Sequence, residues 1–208
     1  MYSSGERIAD AFVHILGVSL GTVAVIVMLT AAVVSLPPIA NASLAVYGFG
    51  MLAMFGCSAA YHLIPSQDWK GTLQRLDHAA IFLKIAATYT PFALVKIGGA
   101  PGYTLLGGVW MVALAGLVGK LFDRPAWNRI DVPIYLLLGW AGLLVIYPLA
   151  NAVTPTVLAL LGLGGALYTV GVVFHLWRSL KYQNAVWHGF VLVATGCHFG
   201  AVTTAMFA

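Results

Sequence analysis

The sequence predicts an all-α membrane protein, a bundle of seven transmembrane helices, and three observations support this fold class. Of its 208 residues, 61% are hydrophobic and only 8% are charged, whereas a soluble domain carries about a quarter charged residues. The chain divides into seven apolar runs, each near the roughly 20 residues that a membrane-spanning helix needs. Polar or Gly/Pro breaks separate the runs. We expect one transmembrane domain over residues 1–208 and no soluble domain.

The seven predicted spans follow one another with short connections. Pro37 and Pro38 end the first span, and a glycine-rich turn at 98–102 separates the third span from the fourth. The polar stretch from Pro65 to Gln74 is predicted as a turn between spans two and three. From the limits of the apolar runs we place the spans at about residues 8–36, 42–64, 76–97, 103–122, 130–149, 155–177 and 186–207.

The positions of the basic residues predict the orientation. Apart from Lys84 and Lys96, the Lys and Arg residues lie before span one or after spans two, four and six: Arg7, Lys70, Arg75, Lys120, Arg124, Arg129, Arg178 and Lys181. Positively charged loops stay cytoplasmic, so we expect the N-terminus in the cytoplasm and the C-terminus outside. The net charge of +4 therefore reports orientation, and no nucleic-acid partner is expected.

Polar side chains from two neighbouring spans meet at one depth in this topology. Ser58 and His62 are four residues apart near the inner end of span two, so they share one helix face. A short turn sends span three back antiparallel, and Asp77 near its start returns to the same depth. Ser58, His62 and Asp77 are therefore expected to form one cluster.

Three other spans bring polar residues to the same level, and ionisable residues within spans usually face an interior cavity and serve function. They are Glu6, Asp10 and His14 on one face of span one, His175 at the end of span six, and Asn184 and His188 at the start of span seven. His198 lies ten residues beyond His188, roughly 15 Å further along the helix. Lys84 follows Asp77 by seven residues on the same face and is expected to pair with it through water or to line a cavity.

This set of side chains indicates a metal site. Neutral imidazoles with a carboxylate and an open position hold zinc where it must activate water. We expect His62 and His188 as ligands, Asp77 as a group that orients a ligand or acts as a base, and Ser58 as a hydrogen-bonding partner of water or substrate. An alternative uses Ser58 as a nucleophile with a histidine and Asp77, although no Gly-x-Ser-x-Gly turn is present.

A combination of motifs spans nearly the whole chain: Ser58-x-x-Tyr61-His62, Leu76-Asp77-His78, Thr88-Tyr89-Thr90-Pro91-Phe92, Tyr168-Thr169-x-Gly171 and Trp187-His188-x-Phe190-Val191-Leu192. In these motifs the chain resembles the haemolysin III family, a bacterial branch of the progestin and adipoQ receptors that is related to alkaline ceramidases. The resemblance implies a multi-pass protein of the bacterial inner membrane. It also implies a zinc near the cytoplasmic face, bound by one histidine of span two and two of span seven, beside an aspartate and a serine. The matching positions are His62, His188, Asp77 and Ser58.

One position departs from the family's pattern. Asn184 stands where the first histidine of the span-seven His-x-x-x-His motif belongs, and an amide oxygen is a poorer zinc ligand than an imidazole. Either a third ligand comes from elsewhere, with His175 at the same depth or water as candidates, or the site is weak and remains only as a polar network.

The sequence leaves several functions open. The first is a zinc-dependent hydrolase of an amide or ester bond in a membrane lipid, which makes lipid the expected partner. The second is a receptor-like regulator of membrane state that turns nothing over. A cytolysin is disfavoured because these spans cannot first be soluble, and an ion channel is disfavoured because polar residues are scarce in the outer half. Protein partners, oligomeric state and the roles of Lys84, His14 and His198 stay open.

Overall fold

The computed structural model describes residues 3–208, except for the side chains of residues 128 and 129, and the regular structure in this part of the chain is helical. The side chain of Arg129, one of the basic loop residues, therefore lies outside the described part. The elements are α1 (Ser4–Ser35), α2 (Pro38–Leu63), α3 (Gln67–Pro91), a π-helical turn (Phe92–Ile97), α4 (Gly99–Leu121), α5 (Pro125–Gly139), a 3-10 turn (Ala141–Val145), α6 (Ile146–Ala152), α7 (Pro155–Leu176) and α8 (Gln183–Phe207).

Within the described residues, seven helical segments are long and apolar enough to cross a membrane. The fifth of them, Ile130–Ala152, combines the end of α5 with the 3-10 turn and α6. The prediction of an all-α protein with seven transmembrane helices is therefore confirmed, while the orientation of its termini stays a prediction.

In the first helix, one face is buried in the bundle and the other faces are exposed and apolar. Ser3 caps α1 and forms a capping box with Glu6, which satisfies backbone N–H groups at the helix start. The buried residues then recur at steps of three or four: Asp10, His14, Gly17, Gly21, Val25, Met28 and Ala32. Large apolar side chains between them, such as Phe12 and Ile26, are more than half exposed, as expected for a surface that faces lipid.

The polar stretch from Pro65 to Gln74 is helical over most of its length, so its prediction as a turn is wrong. Ser66 caps α3 by accepting a hydrogen bond from the Trp69 N–H, and the helix begins at Gln67. Hydropathy locates only the apolar part of a helix, whereas the cap fixes where the helix begins. The first turns of α3 are therefore polar helix at the end of the bundle.

The fifth span is interrupted between α5 and α6, a break that its apolar sequence does not reveal. The Tyr89 hydroxyl of α3 lies 2.9 Å from the Leu138 carbonyl oxygen and 2.8 Å from the Gly139 carbonyl oxygen, and it accepts from the Gly142 N–H at 3.0 Å. A side chain that inserts into the backbone ladder in this way breaks a helix. Tyr89 thus replaces hydrogen bonds that the backbone loses at the interruption.

The packing brings the first and last helices together. Helix α1 packs against both α2 and α8, α3 packs against α2 and α4, and α7 packs against α8. At the start of α1, Glu6 also accepts a hydrogen bond at 3.0 Å from the backbone N–H of Tyr182, the residue that precedes α8. This arrangement places the polar residues near the starts of α1 and α8 beside the end of α2.

Candidate metal centre

Asp10 lies at the centre of the polar cluster and binds histidines from two other helices. Its Oδ2 lies 2.8 Å from His62 Nδ1 on α2, and its Oδ1 lies 2.7 Å from His188 Nδ1 on α8. A carboxylate oxygen can only accept, so both Nδ1 atoms carry the proton and donate. In the neutral rings the free lone pair is then on Nε2, the state in which a histidine binds a metal.

His14, one helical turn after Asp10, supplies a third imidazole to the same place. Its Nδ1 donates to the backbone carbonyl of Asp10 at 2.8 Å, and its Nε2 lies 3.2 Å from Ser58 Oγ. The ring centroid of His14 is 4.7 Å from that of His62 and 4.3 Å from that of His188, and the last two are 4.5 Å apart. All three imidazoles thus have Nδ1 bound to an oxygen of Asp10.

The donor set fits a divalent metal ion. One ligand atom from each of Asp10, His14, His62 and His188 lies within 4.8 Å of those of the other three. An imidazole that ligates a metal usually donates its other N–H to a carboxylate or a carbonyl, and here each ring already does so. This group, which we call the metal centre, could therefore hold a metal ion.

The remaining two residues expected at the site lie beside the metal centre. Ser58 and Asp77 line the same cavity as His14 and His188, and the Asp77 carboxylate interacts with the Ser58 hydroxyl. The structure therefore brings together the four residues to which the sequence assigns roles. Of these, His62 meets the others through Asp10 and through the ring of His14.

The third imidazole of the metal centre comes from His14. His175 is not part of the metal centre in the described part of the chain. His175 packs against Trp187, with ring centroids 5.0 Å apart, and its carbonyl accepts from Gln183 Nε2 at 2.7 Å. Helix depth alone does not separate the two histidines; what separates them is the direction in which each side chain points.

Sequence reasoning placed Asp10 and His14 at the correct depth but gave neither a role. The signal was their spacing of four residues on an otherwise apolar helix, since an acid and a histidine there lie on one face. Both residues are buried, at 8% and 6% exposure, and both side chains point into the bundle.

A cavity of about 350 Å³ extends from the metal centre into the bundle. Its lining is mostly apolar, as at Met54, Ile81, Leu161 and Leu192. This volume is at the lower end of the range for sites that bind small molecules. The cavity therefore places an apolar space directly beside Asp77 and the imidazoles of His14 and His188.

A second polar group lines the cavity away from the metal centre. Lys84 Nζ lies 4.4 Å from the centre of the Tyr168 ring and 3.5 Å from His198 Nδ1. The Tyr168 hydroxyl is 2.6 Å from Thr195 Oγ1. Lys84 therefore contacts α7 and α8 side chains. It lines the cavity, as expected, and Asp77 lines the same cavity.

Comparison with known proteins identifies the family. The family model described as "Haemolysin-III related" matches residues 6–199. The chain is 35% identical to "Hemolysin-3 homolog" of Bacillus subtilis (strain 168) over 97% of this chain and 95% of that protein. It is also 35% identical to "Hemolysin-3" of Bacillus cereus, over 95% of this chain and 90% of that protein.

A more distant similarity extends to animals. The chain is 26% identical to "Monocyte to macrophage differentiation factor" of Homo sapiens, over 76% of this chain and 67% of that protein. The family model covers nearly the whole chain, and the bacterial relatives align along nearly their full length. With its seven membrane-spanning helices, the chain is a multi-pass membrane protein that belongs to the haemolysin III family.

Proposed function

We propose that this protein is a zinc-dependent hydrolase that cleaves an amide or ester bond of a lipid within the membrane. The observation that carries the proposal is that the rings of His14, His62 and His188 lie together, with centroids 4.3 to 4.7 Å apart. Each ring has its Nδ1 bound to an oxygen of Asp10. Three imidazoles with an open position are the donor set of a catalytic zinc rather than a structural one. Bound there, zinc supplies a water molecule whose pKa is lowered toward about 7.

The residues beside the metal centre have the chemistry that hydrolysis requires. Asp77, on the cavity side, accepts a proton from the attacking water and passes it to the leaving amine or alcohol. Ser58 lies between His14 and Asp77, and its single O–H would turn from these acceptors to the substrate carbonyl oxygen. Asp10 holds the imidazoles of His62 and His188 in one orientation and one tautomer.

The cavity favours a lipid substrate. Its lining is mostly apolar and it lies within the helix bundle, so it accepts an acyl chain and keeps bulk water from the reacting bond. The overall reaction adds water across the carbonyl–nitrogen or carbonyl–oxygen bond, which releases a fatty acid and an amine or an alcohol.

The proposal includes a location for this chemistry. Basic residues cluster at one end of the bundle, in the first turns of α3, around the α4–α5 connection and between α7 and α8. They favour a cytoplasmic position for that end. The metal centre then faces the cytoplasmic leaflet of a bacterial plasma membrane. The similarity to two Bacillus proteins supports the bacterial membrane.

The test combines elemental analysis of the purified protein with an assay for fatty acid released from a long-chain ceramide and from a phospholipid. We expect about one zinc per chain, and His188→Ala should lose both the metal and the hydrolysis. Asp77→Asn should keep the metal but lose hydrolysis by about a hundredfold or more, because general-base catalysis contributes 10²–10⁴. Full hydrolysis in His188→Ala would overturn the proposal.

A second candidate is a regulator in which the metal centre only holds helices together. The observation in its favour is that one carboxylate, that of Asp10, connects α1 to both α2 and α8 by hydrogen bonds. In that case zinc is bound, no fatty acid is released from either lipid, and removal of zinc changes the proteolysis pattern of the protein in vesicles. Release of fatty acid that requires His188 would exclude this candidate.

A further inference from the structure

Lys84 is a buried cation that faces the cavity. Its side chain is only 3% exposed, although it lies in the middle of α3, and it belongs to the cavity lining. A lysine within a membrane span costs free energy unless it reaches the interface, pairs with an acid or faces a polar space. Lys84 is too far from either end of α3 to reach the interface.

Within the described residues, Lys84 has no carboxylate within ion-pair distance. Its polar contacts there are His198 Nδ1 at 3.5 Å and the face of the Tyr168 ring at 4.4 Å from the centroid. Two acids, Asp77 and Asp131, line the same cavity without an ion pair to Lys84, and Asp131 pairs with Lys120. Burying a charge without a partner of opposite charge costs free energy. An anion that binds beside the ammonium group of Lys84 would therefore lower this cost.

The neighbours of Lys84 are groups that accept an ammonium group. An aromatic face attracts an ammonium group, and the Tyr168 ring is fixed by its hydroxyl, which lies 2.6 Å from Thr195 Oγ1. Thr195 in turn donates to the Val191 carbonyl at 2.7 Å. His198 Nε2 lies 3.4 Å from the Leu161 carbonyl oxygen, so Nε2 carries the proton and Nδ1 presents a lone pair to the ammonium.

We propose that Lys84, Tyr168 and His198 form a binding site for the carboxylate of a single-chain amphiphile, such as a long-chain fatty acid. Of the three N–H groups of the ammonium, one that does not face His198 or the Tyr168 ring donates to the carboxylate. The apolar cavity holds the acyl chain. One ammonium matches a monoanion, whereas a dianionic phosphate monoester would keep an unpaired negative charge. A cavity of about 350 Å³ also favours one chain over the two chains of a phospholipid.

The carboxylate site is distinct from the metal centre. Lys84 follows Asp77 by seven residues on α3, which is about 10 Å along the helix. His198 follows His188 by ten residues on α8, which is about 15 Å. The proposal therefore goes beyond the hydrolase function, because equilibrium binding at Lys84 requires neither a metal nor turnover.

The experiment measures equilibrium binding of palmitate and of its uncharged analogue cetyl alcohol to the purified full-length protein. Three variants are compared: Lys84→Met, which removes the charge, Lys84→Arg, which keeps it, and Lys96→Met as a matched control. Lys96 also lies in the third span but is not part of the cavity lining. All measurements are repeated in His188→Ala, so that loss of the metal centre and loss of the carboxylate site are told apart.

We expect the parent protein to bind palmitate at least about tenfold more tightly than cetyl alcohol, the effect of one charged hydrogen bond. Lys84→Met should lose this preference, whereas Lys84→Arg, Lys96→Met and His188→Ala should keep it. If the parent protein binds palmitate and cetyl alcohol with equal affinity, the proposal is wrong. This outcome does not depend on whether Lys84→Met folds. Retention of the preference in folded Lys84→Met would also overturn it.

Discussion

The Asp10 carboxylate and the His188 imidazole are hydrogen-bonded at 2.7 Å although 178 positions separate them in the sequence. The second oxygen of the same carboxylate bonds His62 at 2.8 Å. One acid of the first helix thus sets the orientation of a histidine of the second helix and of a histidine of the last.

Asp10→Asn should weaken metal binding. An amide offers one acceptor oxygen where the carboxylate offers two, and its NH₂ group faces an imidazole N–H, so one ring must turn away. Loss of such a partner typically lowers metal affinity by about 10–100-fold. Competition with a chromophoric zinc chelator measures the change. Asp68→Asn is the control, because Asp68 is exposed in the first turn of α3; equal affinities for both variants would contradict the prediction.

His14→Gln and His175→Gln should differ in zinc content. The structure brings His14 to His62 and His188, with ring centroids 4.7 and 4.3 Å away, whereas His175 packs on Trp187. We therefore expect His14→Gln to purify with much less zinc than the parent and His175→Gln to keep about one zinc per chain. The reverse result, measured by elemental analysis, would make His175 the third ligand.

Tyr89→Phe should destabilise the bundle. The hydroxyl contacts the Leu138 and Gly139 carbonyls and the Gly142 N–H at the break in the fifth span. Leaving buried backbone groups unsatisfied costs about 1–3 kcal/mol. Chemical unfolding in detergent micelles measures the difference. Tyr147→Phe, at a position 82% exposed to the lipid side, should change stability by less than about 0.5 kcal/mol, and equal effects of the two variants would count against the role of Tyr89.

The distribution of basic residues predicts a cytoplasmic N-terminus and an external C-terminus. Alkaline phosphatase fused after the last residue should be active in a bacterial host, because the enzyme folds only outside the cytoplasm. Green fluorescent protein fused at the same point should be dark. If instead the fluorescent protein glows and the phosphatase is inactive, the C-terminus is cytoplasmic and the predicted orientation is wrong. The metal centre would then lie at the outer leaflet.

The number of spans and the depth of the polar residues could be predicted from the sequence, because both depend on apolar length and on helix rise. His62 and His188 were expected to lie together on that basis, and they do. The partner of Lys84 could not be predicted, since depth says nothing about rotation around a helix axis. The pairing of Asp10 with both histidines was also out of reach, because it depends on α1 packing between α2 and α8.

Two errors at helix limits have a common cause. Residues 67–74 form helix where a turn was expected, and the fifth span is broken where a continuous helix was expected. In both places the decisive interaction is a hydrogen bond from a backbone N–H to a side-chain hydroxyl, that of Ser66 in one and that of Tyr89 in the other. Average hydropathy contains no information on such bonds.

The bonds of Asp10 to the second and the last helix have a consequence for biosynthesis. While the ribosome is still making the seventh span, Asp10 and His62 are already in the membrane but His188 has not arrived. The metal centre therefore stays incomplete until α8 joins the bundle. A chain that ends before His188 leaves one oxygen of the Asp10 carboxylate without its histidine partner among the apolar helices.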